Sequence, residues 1–242
     1  MLGDPNTLTV AGSLDISGLI HLQGSLVMDG GALTAGNLIL QGGGLTGSGD
    51  ITVSGSLLEL GFIKGGNLTL TANQVVTSEE WWATGGTFTL NFPNYAFFAN
   101  GLLHNGDYRA FAGATLDMKV GGVLTTLSAG LFLDGGNINF FDPAQHKYVP
   151  VQSTLKLIAG GYLEIGDGEP LQFGALQDNG YILLNSDFDF KPASLKIGWP
   201  APCTARASSR QRPSTRASSS PARHTSKAHR SPSPTTSSSP LP

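Results

Sequence analysis

Leu14-Asp15-Ile16-Ser17-Gly18, then Ile20-His21-Leu22-Gln23-Gly24, then Leu26-Val27-Met28-Asp29-Gly30: an apolar–polar–apolar triplet and a small corner occur three times in succession. Leu33, Leu38, Leu45, Ile51, Leu57, Ile63 and Leu68 continue the series, with steps from residue 14 of 6, 6, 7, 5, 7, 6, 6, 6 and 5. Side chains alternate across a strand, so each triplet buries one face and wets the other. Glycines at the corners take dihedrals that other residues resist. Strands this short cannot form a stable hairpin stack alone. Three consecutive units make a closed turn of about 18 residues, whose strands pair with those of the turns above and below.

The turn length can be checked within the sequence. Leu14/Ile16, Leu33/Ala35, Ile51/Val53, Leu68/Leu70 and Phe88/Leu90 form inward pairs at steps of 19, 18, 17 and 20, with Asp15, Thr34, Thr52, Thr69 and Thr89 between them. A helical period cannot produce this pattern. A sandwich would repeat its strands every 8–12 residues or so. The expected fold is all-β, a single-stranded parallel β-helix solenoid with about 18-residue rungs, followed by a disordered tail. After residue 73 the Gly-Gly-x-Φ-x-Φ unit survives at Gly85-Gly86, Gly121-Gly122, Gly135-Gly136 and Gly160-Gly161, but the spacers lengthen. The repeat domain is therefore set at residues 1–200, regular over 8–72 and looped over 73–198. Loops are expected to project near 91–109 and 141–151.

Residues 201–242 differ in kind, with 12 Ser, 7 Pro, scattered Arg and almost nothing apolar. Such a segment cannot bury a core and is expected to be disordered. The formal net charge of −3 hides a split. The body carries 7 basic against all 17 acidic residues, a net −10, while the tail carries 7 basic and no acidic ones. An acidic body argues against specific nucleic-acid binding. The one cysteine, Cys203, lies in the tail, so the body has no internal disulfide. No apolar run reaches membrane-spanning length, and the first residues show no secretory signal.

Gly36-Asn37-Leu38-Ile39-Leu40, Gly47-Ser48-Gly49-Asp50-Ile51-Thr52-Val53-Ser54-Gly55-Ser56-Leu57 and Gly66-Asn67-Leu68-Thr69-Leu70-Thr71-Ala72 resemble the repeats of large bacterial surface proteins. The nearest are filamentous-haemagglutinin-like exoproteins and autotransporter passengers. The resemblance covers most of residues 8–198 and is strongest over 8–72. It implies a right-handed β-helix, secretion through an outer-membrane pore, and roles in adhesion or biofilm. The first 72 residues also resemble bactofilins, which are cytoskeletal β-helices. The resemblance thus implies a secreted or cell-surface location, with the cytoplasm as the alternative.

No Gly-x-Ser-x-Gly elbow, phosphate loop, His-Glu-x-x-His or zinc-type cysteine pair occurs. No catalytic residue, metal site or cofactor is expected. Four residues are singled out as candidate ligand contacts. Trp81 and Trp82 point to opposite faces of one strand, so one is core and the other a candidate sugar platform. Asp107 and Arg109 share a strand face, and Arg109 is the body's only arginine. Asp187/Asp189 and Asp167/Glu169 read as solvated carboxylates and a turn. Thr52/Ser54, Thr69/Thr71 and Thr87/Thr89 are expected to stack on one outer face. His21, His104 and His146 are too scattered for a metal. The expected function is a non-enzymatic structural or adhesin module contacting host surface or glycan. The alternatives are a carbohydrate-active enzyme built around Asp107 and Arg109, and a solenoid that self-associates through its terminal rungs.

Overall fold

The computed structural model describes residues 7–77, 80–166, 171–185 and 191–198. The chain divides into two units, Met1–Ser208 and Ser209–Pro242, and every described residue belongs to the first. The basic tail, with Asp167, Glu169, Asp187 and Asp189, lies outside the described residues.

The first unit is a parallel β-solenoid of about nine turns. Its strands are β1 (Thr7–Val10), β2 (Ser13–Leu22), β3 (Ser25–Thr77), β4 (Glu80–Asn91), β5 (Asn94–Tyr95), β6 (Phe98–Ala99), β7 (Leu102–Phe111) and β8 (Ala114–Lys119). They continue with β9 (Thr126–Asp134), β10 (Asn137–Asp142) and β11 (Lys147–Pro150), then one helical turn, α1 (Val151–Thr154). The series closes with β12 (Leu157–Ile158), β13 (Tyr162–Ile165), β14 (Gln172–Asp178), β15 (Tyr181–Leu184) and β16 (Lys191–Ile197). β3 is 53 residues long because the chain keeps its inter-coil hydrogen bonds through the corners, so one strand winds through several turns.

The register gives the coil length directly. Thr7 pairs with Ser25, Leu14 with Leu33, Ile63 with Trp81 and Leu68 with Phe88, which are steps of 18, 19, 18 and 20 residues. Further along, Trp81 pairs with Tyr108, Phe88 with Leu116 and Leu131 with Leu163, steps of 27, 28 and 32. The coil itself does not widen to this extent; the extra residues are inserted at corners.

The inserted residues adopt two antiparallel hairpins, β6–β7 and β10–β11. The 141–151 segment is thus the arm and turn of a hairpin, followed directly by α1. The 91–109 segment has an inner and an outer side. Phe92, Tyr95, Phe98, Leu103 and Tyr108 are buried, while Pro93, Asn94, Ala96, Ala99, Asn100, His104 and Asn105 are exposed, and φ is positive at Asn100-Gly101 and again at Asn105-Gly106. The large rings of the segment are drawn under the coil, and the rest of it projects.

Two inward columns hold the stack together. On the first face, Ile63, Trp81, Tyr108, Leu131 and Leu163 lie in register and are fully buried. On the second, Leu68, Phe88, Leu116 and Ile138 do the same. Leu14 and Ile16 pair with Leu33 and Ala35 as the alternation requires. Ile16 nonetheless remains 37% exposed, because its coil is the first described one and stacks on a single neighbour. Around Trp81 the interior fills with rings. Phe92 lies 5.4 Å from it, and Tyr95 lies 5.4 Å from Phe92. The Tyr95 and Tyr108 hydroxyls meet at 2.6 Å, which satisfies two buried polar tips inside an apolar core.

Corners are tied by asparagine side chains. Asn37 Oδ1 accepts from Ser56 N–H at 2.9 Å, and Asn67 Oδ1 accepts from Thr87 N–H at 3.1 Å, each one coil away. One corner demands glycine outright. Gly47 has φ +110°, and a Cβ there would lie 1.9 Å from the Met28 carbonyl oxygen. Gly47→Ala is expected to lower stability by about 1–3 kcal/mol through backbone strain alone. Urea unfolding against wild type checks this; an unchanged midpoint excludes the tight corner.

Candidate functional site

Outward-facing residues of the first face stack as regularly as the inward ones. Lys64, Trp82, Arg109, Phe132 and Glu164 occupy one row in register; Phe62, Glu80, Asp107, Gly130, Tyr162 and Tyr181 occupy the next. Strands one coil apart are separated by about 4.8 Å, so rings and cations in these rows touch. Phe62 and Trp82 stack at 6.3 Å, and Lys64 Nζ lies 4.0 Å from the Trp82 ring centre and 4.5 Å from that of Phe62. The Arg109 guanidinium sits 4.2 Å from Phe132 and 5.4 Å from Trp82. Phe111 closes on Trp82 edge-on at 6.0 Å. The ladder continues through Phe132–Tyr162 at 5.3 Å to Tyr162–Tyr181, nearly parallel at 5.1 Å.

The tryptophan pair separates as the strand alternation requires. Trp82 faces outward and is half-buried in the ladder. Trp81 is fully buried, so its candidacy as a ligand contact is corrected: its indole packs the core and has no surface to offer. Neither face of Trp82 is an open platform either. Phe62 and Lys64 cover it from one side and Arg109 from the other. Two donors in this row, Trp82 Nε1 and Arg109 Nε, are buried without a hydrogen-bond partner.

Asp107 and Arg109 share the outward face, yet no ion pair joins them among the described contacts. Asp107 leans toward the next coil. A Cβ on Gly130 would fall 2.0 Å from Asp107 Oδ1, so the carboxylate lies over the space that this glycine leaves. Burial pushes its pKa above the usual carboxylate value, and the Arg109 charge opposes part of that shift. Glu80 pairs in register with Asp107 on the preceding coil. At the far end of the ladder, Tyr162 Oη donates to Glu164 Oε2 at 2.9 Å, and Asn185 Nδ2 donates to Glu164 Oε1. Burial first, then the Glu164 carboxylate, holds the Tyr162 hydroxyl far above the ordinary tyrosine value.

On the second face the threonine row runs from Thr69 to Thr89 and then meets Asp117 and Asn139. Burial raises the pKa of Asp117, while the hydrogen bond donated by Asn139 Nδ2 at 2.8 Å lowers it. The hydroxyl ladder therefore ends at Thr89, where Asp117 takes the next position. His21 bonds Gln41 one coil away, His104 packs edge-on against Phe97, and His146 sits in the β10–β11 turn at positive φ. Among the described residues, no group of three or more His, Cys, Asp or Glu is arranged to hold a metal. No described helix is long and apolar enough to cross a membrane.

Beside the ladder, at the corner between the two faces, lies an open depression of about 530 Å³ lined by Thr46, Gly47, Ser48, Lys64, Gly66, Asn67, Thr84 and Gly85. Three consecutive coils contribute to it, and three of its lining residues are glycines. Phe62, Lys64, Phe111, Phe132, Tyr162 and Tyr181 carry no individual sequence signal. Each is an ordinary outward strand residue, and only the register brings them together.

Fold and surface together define a class, that of parallel β-solenoid repeat domains. No family model matches the chain, and neither a curated protein nor a solved structure similar to it was found.

Proposed function

We propose that the chain is a non-enzymatic solenoid module of a secreted or cell-surface protein, which binds a glycan or host surface along the ladder of its first face. The observation that carries this reading is the ladder itself. It sets aromatic edges, cations and polar tips in a row along successive coils, each locked by the ring above or below. Side chains already ordered lose little freedom on binding, so weak repeated contacts add up. An extended polymer is the ligand that such a row fits. The repeat phrases that resemble bacterial surface proteins point the same way. Asp107, turned over Gly130 and away from Glu80, gives no facing pair of carboxylates across a cleft, which disfavours the glycosidase alternative.

A glycan panel tests the reading. Trp82→Ala removes the ring that Phe62, Lys64 and Arg109 all contact, and binding is expected to fall by about tenfold or more. Equal binding by wild type and variant would remove the ladder from the account.

One further observation favours self-association as a second reading. Leu19 on the first described coil and Ile197 on the last are 56% and 54% exposed, large values for such side chains at sheet edges. Sedimentation that rises with concentration would support it; a monomer at all concentrations would not.

A further inference from the structure

The corner depression differs from the rest of the ladder in its charge. Of the residues that line it, Lys64 alone is charged; the others are hydroxyls, one amide and glycines. No described carboxylate pairs with Lys64, although the body as a whole is strongly acidic. Its ammonium is held over two rings, at 4.0 and 4.5 Å, which fixes its position while leaving N–H donors unspent. The Asn67 amide is fixed as well, because its Oδ1 accepts from Thr87 N–H, so its Nδ2 is the remaining donor. Thr46, Ser48 and Thr84 add hydroxyls able to donate or accept.

We propose that this depression binds one anionic sugar unit, with the acid group on Lys64 and the ring hydroxyls on Thr46, Ser48, Thr84 and Asn67. The inference rests on the glycan-binding reading above and names the ligand class. A fixed cation that no described carboxylate pairs with supplies the charge contact. The surrounding neutral hydroxyls suit a polyhydroxylated ring rather than a bare ion. The acidic body repels long polyanions in general, so the selectivity lies in this single pocket. A carboxylate and a sulfate offer the same chemistry to Lys64.

Titration calorimetry on the full chain tests the proposal with three probes: a glucuronic acid oligosaccharide, a neutral glucose oligosaccharide and its sulfated form. Two variants accompany them. Lys64→Gln removes the charge. Gly85→Leu adds bulk at a lining position where an added Cβ meets nothing within 4 Å and φ is ordinary. The expected result is binding of one or both acidic probes over the neutral one. Lys64→Gln and Gly85→Leu should each weaken it about tenfold or more, and Lys64→Arg should retain it. The tighter acidic probe identifies the acid group. Equal binding of neutral and acidic probes, or no change in Lys64→Gln, overturns the inference and leaves the glycan reading standing. No binding of any saccharide overturns both.

Discussion

Trp81→Ala lowers stability by about 3–5 kcal/mol, the range for deleting a large ring from a packed interior. Trp81 is fully buried, stands in register between Ile63 and Tyr108, and touches Phe88 and Phe92. Its loss leaves a hole that coils on both sides cannot close, since each is held by its own ladder of hydrogen bonds. Trp82→Ala, one residue away, should cost clearly less, because part of that indole already meets water. Chemical denaturation of both variants gives the comparison. A Trp82→Ala cost equal to that of Trp81→Ala would show that inside and outside have been exchanged.

Leu116→Asp has a comparable effect with a different signature. Leu116 is fully buried between Phe88 and Ile138 in the second inward column. A carboxylate there has no partner and costs about 3–5 kcal/mol at neutral pH. Burial raises the folded-state pKa of such a group above its unfolded value of about 3.9. The folded variant then holds its proton more tightly than the unfolded one. Its penalty is therefore smallest below about pH 4 and grows as pH rises toward the folded pKa. The gap in urea midpoint between variant and wild type should widen from pH 4 to pH 7. A pH-independent gap would mean that the side chain reaches solvent. The next residue shows the contrast already present in the protein. Asp117 points outward, keeps a hydrogen bond from Asn139, and is only partly buried.

The ladder changes how the tryptophan pair is understood. A ring sandwiched between a lysine and an arginine from neighbouring coils is a structural strut as well as a contact surface. Both faces of its indole are covered by neighbouring side chains, so it offers no open platform.

Much of the solenoid was legible from residues 8–72, where Leu, Ile and Gly recur at nearly fixed steps. The pairing of Leu14 with Leu33 and of Leu68 with Phe88 follows from counting. The region after residue 73 was less legible for a physical reason. Large rings there, such as Phe92, Tyr95 and Phe98, fill the interior in place of evenly spaced aliphatics, and the inserted hairpins stretch the coil step from 18 to 32 residues. A counted period fails when its length varies, even though the stacking is unchanged. The partners of Trp82 and Arg109 were hidden for the same reason. Phe62, Lys64 and Phe132 are outward residues with no motif around them.

Sequence alone thus determined the alternation of side chains and the small-residue corners, because both are local: successive Cβ atoms point to opposite faces, and glycine relieves a single pair of dihedrals. It also established that Trp81 and Trp82 part company across the strand. Which of the two is core, and that Lys64, Trp82 and Arg109 form one row beside an empty corner, was decided only by the tertiary structure. Contacts between coils depend on how many residues each circuit consumes, and that number is fixed by packing around the whole turn rather than by any neighbour in the chain.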